Sequence, residues 1–266
     1  MKIGFIGTGN MGGALARAAA KGGHTLLLAN RTPAKAAALA KELGGTVCPN
    51  AEAAETAELL FLGVKPQGLP GLAEELAPVL QARKGNAPVV VSMATAVTLR
   101  ELDAMLGGGL PLIRIMPNTP AAVGAGTILY AAQNVTDAQL NAFRAVLAQA
   151  GLLLPLPEAQ IDAASAISGC GPAFCFQFTD ALALGGVRAG LSYPDACRLA
   201  AQTMLGAAEM LLQGGEAPDV LKMRVCSPAG TTIEGVLALE QGGFSYTVQN
   251  AVTAAYRRTV EMTKKG

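Results

Sequence analysis

In the first half of the chain, apolar residues come in short unbroken runs separated by stretches with helical spacing. Ile3-Gly4-Phe5-Ile6, Leu26-Leu27-Leu28-Ala29, Leu59-Leu60-Phe61-Leu62, Val89-Val90-Val91 and Leu112-Ile113-Arg114-Ile115 each read as a buried strand, and residues 126–131 and 152–154 as two more. Continuous rather than alternating apolar strands predict a parallel sheet covered on both faces. Between them, residues 11–21 form an Ala-rich helical pattern, and Thr32-Pro33 opens another helix with Thr as N-cap and Pro at the first helical position. Strand–helix alternation of this kind predicts an α/β, doubly wound, Rossmann-like arrangement.

The pattern changes at Pro155-Leu156-Pro157. Beyond it no strand pattern recurs, and helical stretches cover 158–167, 172–189, 194–213, 218–225, 232–241 and 245–263, punctuated by Gly214-Gly215 and Gly242-Gly243. The expected organisation is a dinucleotide-binding domain over 1–156 followed by an all-α domain over 157–266. Several of these helices are apolar on more than one face, and such helices must be buried. A domain of this length cannot bury so many faces alone, so the helices are expected to pack against a second subunit.

Composition supports that expectation. Hydrophobic residues make up 51% of the chain and charged residues 15%, which leaves little charge to cover a free surface. The net charge of +1 gives no reason to expect nucleic acid or an anionic membrane as partner. A membrane span needs roughly 18 consecutive apolar residues, and the charge-free segment 115–136 is interrupted by Pro117, Asn118 and Pro120. The first residues read as a strand rather than a leader, so a cytoplasmic location is expected. Five scattered cysteines without a C-x-x-C pair, and a single histidine, His24, argue against a metal site or a disulfide framework. His24 lies in a Gly22-Gly23-His24-Thr25 turn, a poor place for the base of a hydrolase. Hydride chemistry suits a histidine-poor chain, because a cofactor carries the difficult step.

Gly7-Thr8-Gly9-Asn10-Met11-Gly12 matches G-x-G-x-x-G, after the first strand and at the opening of the first helix. In that setting the glycines permit a tight turn, close approach to a pyrophosphate, and helix–strand packing. The unpaired N–H groups of the helix start then hold the anion. Asn30-Arg31-Thr32 ends the second strand, and neither Asp nor Glu occurs between His24 and Lys41. A carboxylate there would hold a free ribose 2′-hydroxyl, whereas Arg31 can pair with a 2′-phosphate, with Asn30 and Thr32 adding hydrogen bonds. NADPH is therefore expected, with NADH as an alternative cofactor. Lys65, in Gly63-Val64-Lys65-Pro66, follows a strand expected at the switch point of the sheet.

Five blocks then occur in order: Phe5–Met11, Gly63–Pro66, Met116-Pro117-Asn118-Thr119-Pro120, Ser168-Gly169-Cys170-Gly171-Pro172-Ala173-Phe174 and Ser227-Pro228-Ala229-Gly230-Thr231-Thr232-Ile233. Together they resemble the signature blocks of pyrroline-5-carboxylate reductase over nearly the whole chain. The resemblance implies reduction of the cyclic imine 1-pyrroline-5-carboxylate to L-proline by hydride from NAD(P)H. It carries the family's cofactor residues onto Ile6, Gly7, Thr8, Gly9, Asn10, Met11 and Gly12, onto Asn50, and onto Val64, Lys65 and Pro66. It carries the substrate loop onto Gly230, Thr231 and Thr232, with the Thr232 hydroxyl implied to bond the imine nitrogen as the catalytic contact. It also implies a homodimer through the helical domain, often assembled into larger rings.

Residue chemistry agrees with the loop assignment: Pro228 and Gly230 break one helix and Thr231 opens another, whose first amides suit a carboxylate. The same Thr231-Thr232-Ile233-Glu234 spacing also fits a capping box, as do Thr98–Glu101 and Ser192–Asp195. Three positions depart from the family pattern. Ala229 stands where Gly is usual, Cys170 where Ser is common and Phe174 where Tyr is common. If the backbone at 229 needs positive φ, Ala is penalised there. Two other readings remain: a reductase of another imine or a keto acid, and a catalytically silent NADPH-binding scaffold. The absence of Lys from Glu158 to Val187 weighs against a β-hydroxyacid dehydrogenase.

Overall fold

The computed structural model describes residues 1–263. By compactness the chain forms two units, one of Met1–Cys170 with the described residues from Tyr256 on, the other Gly171–Ala255.

The first unit is built on eight strands: β1 (Lys2–Ile6), β2 (Thr25–Ala29), β3 (Thr46–Val47), β4 (Leu59–Leu62), β5 (Val89–Ser92), β6 (Leu112–Pro117), β7 (Gly126–Gln133) and β8 (Gly151–Pro155). Their order in the sheet is β3-β2-β1-β4-β5-β6-β7-β8. Helices α1 (Asn10–Ala20), α2 (Pro33–Leu43), α3 (Asn50–Thr56), α4 (Leu69–Ala82), α5 (Leu99–Met105) and α6 (Asp137–Leu147) supply the connections. All neighbouring strands run parallel except β6 and β7. The sheet is thus parallel as expected apart from that one pair. Only residues 118–125 join β6 to β7, with a short 3₁₀ turn at Thr119–Val123, and a parallel crossover needs a dozen or more residues.

Alternate residues of each central strand enter two cores, one on each sheet face. Ile3, Phe5, Leu28, Phe61, Val91 and Ile113 pack on one side; Ile6, Leu27, Leu60, Leu62, Val90 and Leu112 pack on the other. Phe5 and Phe61, cross-strand partners, stack at 4.5 Å between ring centroids. Burial on both faces explains why these strands read as unbroken apolar runs.

Helix α7 (Glu158–Ser168) packs on β6 and β7. Two polar residues, one within β6 and one just past its end, hold it. The Arg114 guanidinium, with 4% of its side chain exposed, pairs with Asp162 at 2.6 Å and Glu158 at 3.4 Å. Asn118 donates from Nδ2 to the Ser168 carbonyl at 2.8 Å and accepts from the Thr127 N–H at 2.8 Å.

The second unit contains α8 (Gly171–Arg188), α9 (Tyr193–Gly214), α10 (Pro218–Val225) and α11 (Thr231–Gln241), and α12 (Phe244–Thr263) begins in it. These bounds lie within one residue of the sequence expectations. Gly215 closes α9 in the left-handed region at φ 64°, and Gly243 precedes α12 at φ 72°. Ser192 caps α9 by accepting from the Asp195 N–H. Tyr193 donates to Asp180 at 2.7 Å, which ties α9 to α8 and pushes the phenol pKa up, with Cys197 adding to the shift. Among the described residues, the buried core of this unit is Ala183, Ala196 and Ala200, packed with Cys197. Phe176, Leu212 and Tyr246 are at least 70% exposed. So little burial against so much open apolar surface agrees with helices that need a second subunit. No helix among the described residues is long and apolar enough to cross a membrane.

Candidate functional site

The strand order reverses between β1 and β4, and ligands of open α/β sheets bind at the carboxyl ends of strands at such a point. Three glycines make the crevice possible. Gly7 takes φ 97°, and a Cβ there would stand 2.5 Å from the Gly63 carbonyl oxygen. A Cβ on Gly63 or on Gly12 would overlap the Gly7 carbonyl oxygen. Gly63 belongs to this packing as much as the motif glycines do. Its place directly after a buried strand is visible in the sequence, but its packing against Gly7 is not.

Gly9 is the N-cap of α1 and receives no side-chain hydrogen bond, and the first turn of α1 carries no acidic residue. The first amides of α1 therefore have neither a capping side chain nor a carboxylate of the first turn, and the space at Gly9 is open: a Cβ on that residue would meet nothing within 4 Å. Thr8 is 8% exposed and its Oγ1 has no partner among the described residues. Ile6 is buried in the sheet, whereas Asn10 is exposed and Met11 half-buried at the head of α1.

At the end of β2, Arg31 is exposed and Asn30 half-buried. Asn30 is engaged within the protein: its Oδ1 accepts from the Thr8 N–H at 3.0 Å and its Nδ2 donates to the Thr32 carbonyl at 3.0 Å. Thr32 precedes α2 as expected, with Pro33 in the first turn, but its side chain makes no capping bond. Beside this turn lies a cavity of about 480 Å³, bordered by Asn30, Pro33, Val47, Cys48, Asn50 and Glu75. Asn50 opens α3 and donates from Nδ2 to Glu75 at 3.0 Å. Burial pushes the Cys48 thiol pKa up, with the Glu52 charge adding to it, so Cys48 is a small neutral wall. Cys48 was not anticipated, because the two-residue β3 and the short α3 left no period long enough to place it, and Glu75 reaches the cavity from α4, a contact no local spacing announces.

Val64, Lys65 and Pro66 follow β4. Val64 packs partly into the core, Lys65 is exposed, and Pro66 opens a 3₁₀ turn ahead of α4. In the loop after β5, Ala96 takes φ 62°. A left-handed alanine at the carboxyl end of a strand beside β4 is a strained position next to the crevice, and nothing in its residue type announced it.

A phosphorylated dinucleotide suits these residues. The open space over Gly9 and the uncapped α1 amides match a pyrophosphate, the adjacent cavity its adenosine half, and the exposed Arg31 an extra phosphate.

The second candidate loop lies in the helical unit. The Gly230 N–H donates to the Ser227 carbonyl at 3.0 Å, and Ala229 takes φ 53°. With Pro228 at its second position and a left-handed residue at its third, this is a type II turn, a place that favours glycine. Alanine therefore stands where the backbone does require positive φ. The turn delivers the chain into α11, whose N-cap is Gly230 and not Thr231. No side chain caps this start, so the capping-box reading of Thr231–Glu234 does not hold here, whereas Thr98 and Glu101 do form such a box. Thr231 and Thr232 are both exposed in the first turn of α11. Cys170 and Cys226 are half-buried thiols outside both loops. No group of three or more potential metal ligands occurs among the described residues.

Comparison with known proteins accounts for both halves. Residues 2–96 match the family described as NADP oxidoreductase coenzyme F420-dependent, and residues 158–262 match that described as pyrroline-5-carboxylate reductase dimerisation. The chain is 35% identical to pyrroline-5-carboxylate reductase 3 of Macaca fascicularis over 99% of this chain and 97% of that protein. The pyrroline-5-carboxylate reductase of Coxiella burnetii superposes with a TM-score of 0.90 at 32% identity, covering 97% of each chain. The Plasmodium falciparum pyrroline carboxylate reductase, solved with NADP bound, gives 0.86 at 30% identity over 99% of each chain. A dimerisation segment over the helical half and 35% identity along nearly the full length occur together: the chain belongs to the pyrroline-5-carboxylate reductase family.

Proposed function

We propose that this protein reduces 1-pyrroline-5-carboxylate to L-proline with NADPH, using the uncapped starts of α1 and α11 as its anion-binding elements. The observation that carries this reading is the start of α11, where a helix with no capping side chain bears Thr231 and Thr232 in its first turn. Its backbone amides suit the substrate carboxylate. The imine nitrogen lies about two bonds from that carboxylate, within reach of a hydroxyl on the same turn, and we assign that contact to Thr232. Holding both groups fixes the imine carbon for reaction, a positioning effect. Bound NADPH supplies the hydride, which forms the new C–H bond as the C=N bond becomes C–N. An imine nitrogen that arrives protonated needs only orientation from Thr232.

In the sheet unit, the amides of the Gly7–Gly12 loop hold the pyrophosphate and Arg31 pairs with the 2′-phosphate. Asn50 borders the adenosine cavity, while Val64, Lys65 and Pro66 line the crevice beside β1. Functionally, residues 1–156 are the cofactor domain and 157–266 the substrate and dimerisation domain, with dimers assembling into a larger ring. A cytoplasmic location suits five cysteines with no paired spacing.

The test follows the loss of reduced-nicotinamide absorbance with 1-pyrroline-5-carboxylate, using NADPH and then NADH. Fast oxidation with NADPH preferred is expected. Equal use of NADH would remove the role given to Arg31, and no oxidation with either would remove the reductase reading.

A further inference from the structure

Asn30 stands one residue past the end of β2, where an NAD-specific site places a carboxylate. The parallel β1–β2 ladder ends with Ile6 opposite Ala29, and the Gly7 N–H continues it to the Ala29 carbonyl at 2.8 Å. There the chains part, one turning into α1 and the other into the Arg31 turn. The next amide, that of Thr8, finds a side chain instead of backbone: Asn30 Oδ1 at 3.0 Å. The other end of the same carboxamide donates to the Thr32 carbonyl at 3.0 Å, just ahead of α2.

We propose that Asn30 is a positioning residue that braces the Gly7–Gly12 loop against the Arg31 turn, so that it sets affinity for NADPH and NADH alike, while Arg31 reads the 2′-phosphate. The inference rests on the reading of that loop as the dinucleotide site. It replaces the expectation that Asn30 adds a hydrogen bond to the 2′-phosphate. A carboxamide supplies an acceptor and a donor together, and both are needed here. A carboxylate keeps the acceptor for Thr8 and turns repulsive toward the Thr32 carbonyl. Without the brace, the Thr8 N–H loses its partner and the loop must be ordered by each incoming dinucleotide, whether or not it carries the extra phosphate.

The experiment measures dissociation constants for NADPH and NADH in wild type, Asn30→Ala, Asn30→Asp and Arg31→Ala, with hydrogen exchange of the Thr8 amide in cofactor-free protein. Asn30→Ala is expected to weaken both dinucleotides by about tenfold, leaving their ratio within about threefold of wild type, and to speed Thr8 exchange. Asn30→Asp restores Thr8 protection, and Arg31→Ala weakens NADPH alone. Should the alanine variant not fold, Asn30→Ser, too short for both partners, carries the same expectations. Loss confined to NADPH in Asn30→Ala, or unchanged Thr8 exchange, overturns the brace. Wild-type protein that binds neither dinucleotide overturns the loop reading as well, which separates the two failures.

Discussion

Arg114 of β6 donates to the Asp162 carboxylate of α7 at 2.6 Å while only 4% of its own side chain is exposed. Glu158, at 3.4 Å, is its second carboxylate partner and also accepts from the Leu99 N–H at 2.7 Å. The Arg114 Nε has no partner among the described residues. Removing one partner of a buried charge costs roughly 3–5 kcal/mol, because the other charge is stranded. Glu158 still offsets part of that here, so Asp162→Ala is expected to cost about 2–3 kcal/mol. Arg114→Met is expected to cost less, since carboxylates that are 22% and 29% exposed can hydrate. Denaturant unfolding at one fixed protein concentration checks the order, and a costlier Arg114→Met would overturn it.

Gly9 and Gly63 separate binding from folding. Nothing stands within 4 Å of a Cβ on Gly9, whereas one on Gly63 overlaps the Gly7 carbonyl. Gly9→Ala is expected to cost about 1 kcal/mol or less of stability, as an N-cap change, yet to weaken NADPH at least tenfold. Gly63→Ala is expected to destabilise the protein by about 2 kcal/mol or more and to weaken NADPH as well. Thermal melts with and without NADPH read both effects. Unchanged NADPH affinity in Gly9→Ala would remove that loop from the cofactor site.

Ala96 and Ala229 occupy the left-handed region at φ 62° and 53°. Each holds a conformation that costs an L-residue roughly 1–2 kcal/mol, against a gain of about 0.4–1 kcal/mol over glycine from a stiffer unfolded chain. Ala96→Gly and Ala229→Gly are each expected to stabilise by roughly 0.5–1 kcal/mol, raising Tm by about 1–4 °C. A lower Tm in both variants would show that the alanine methyls make contacts worth more than the strain.

The Glu101 carboxylate accepts from the Thr98 N–H and hydroxyl, both at 2.7 Å, and those bonds hold its pKa below the ordinary carboxylate value. A folded pKa below the unfolded one makes the contribution complete above the unfolded value. It is lost as pH falls through the lower, folded value. Thr98→Ala is thus expected to cost about 1 kcal/mol at neutral pH and visibly less near about pH 3. Urea titrations of both proteins at the two pH values decide it; a gap that widens in acid would contradict the sign.

For Thr232, the expected result of replacement by Ala is turnover lower by one or two orders of magnitude with the NADPH dissociation constant unchanged. Steady-state kinetics with 1-pyrroline-5-carboxylate and a separate cofactor titration measure the two. Wild-type turnover in this variant would take the imine contact away from Thr232.

Much of this molecule was legible in its sequence, because the information is local. Unbroken apolar runs set the strands, and Pro228, Gly215 and Gly243 mark turns through their own backbone preferences. The G-x-G-x-x-G spacing after the first strand led to the expectation of a phosphorylated dinucleotide cofactor. The tertiary structure decided what depends on residues far apart in sequence. Gly63 matters because Gly7, from the loop after β1, passes against it. Thr231 looked like a cap, yet the turn from Ser227 to Gly230 starts α11 one residue earlier and leaves its first amides open. The Asn30 carboxamide bonds the Thr8 amide, a partner whose position only the folded β1–β2 ladder specifies. Residue type and spacing determined which chemistry this chain carries, while which donor meets which acceptor depended on the path of the backbone in space.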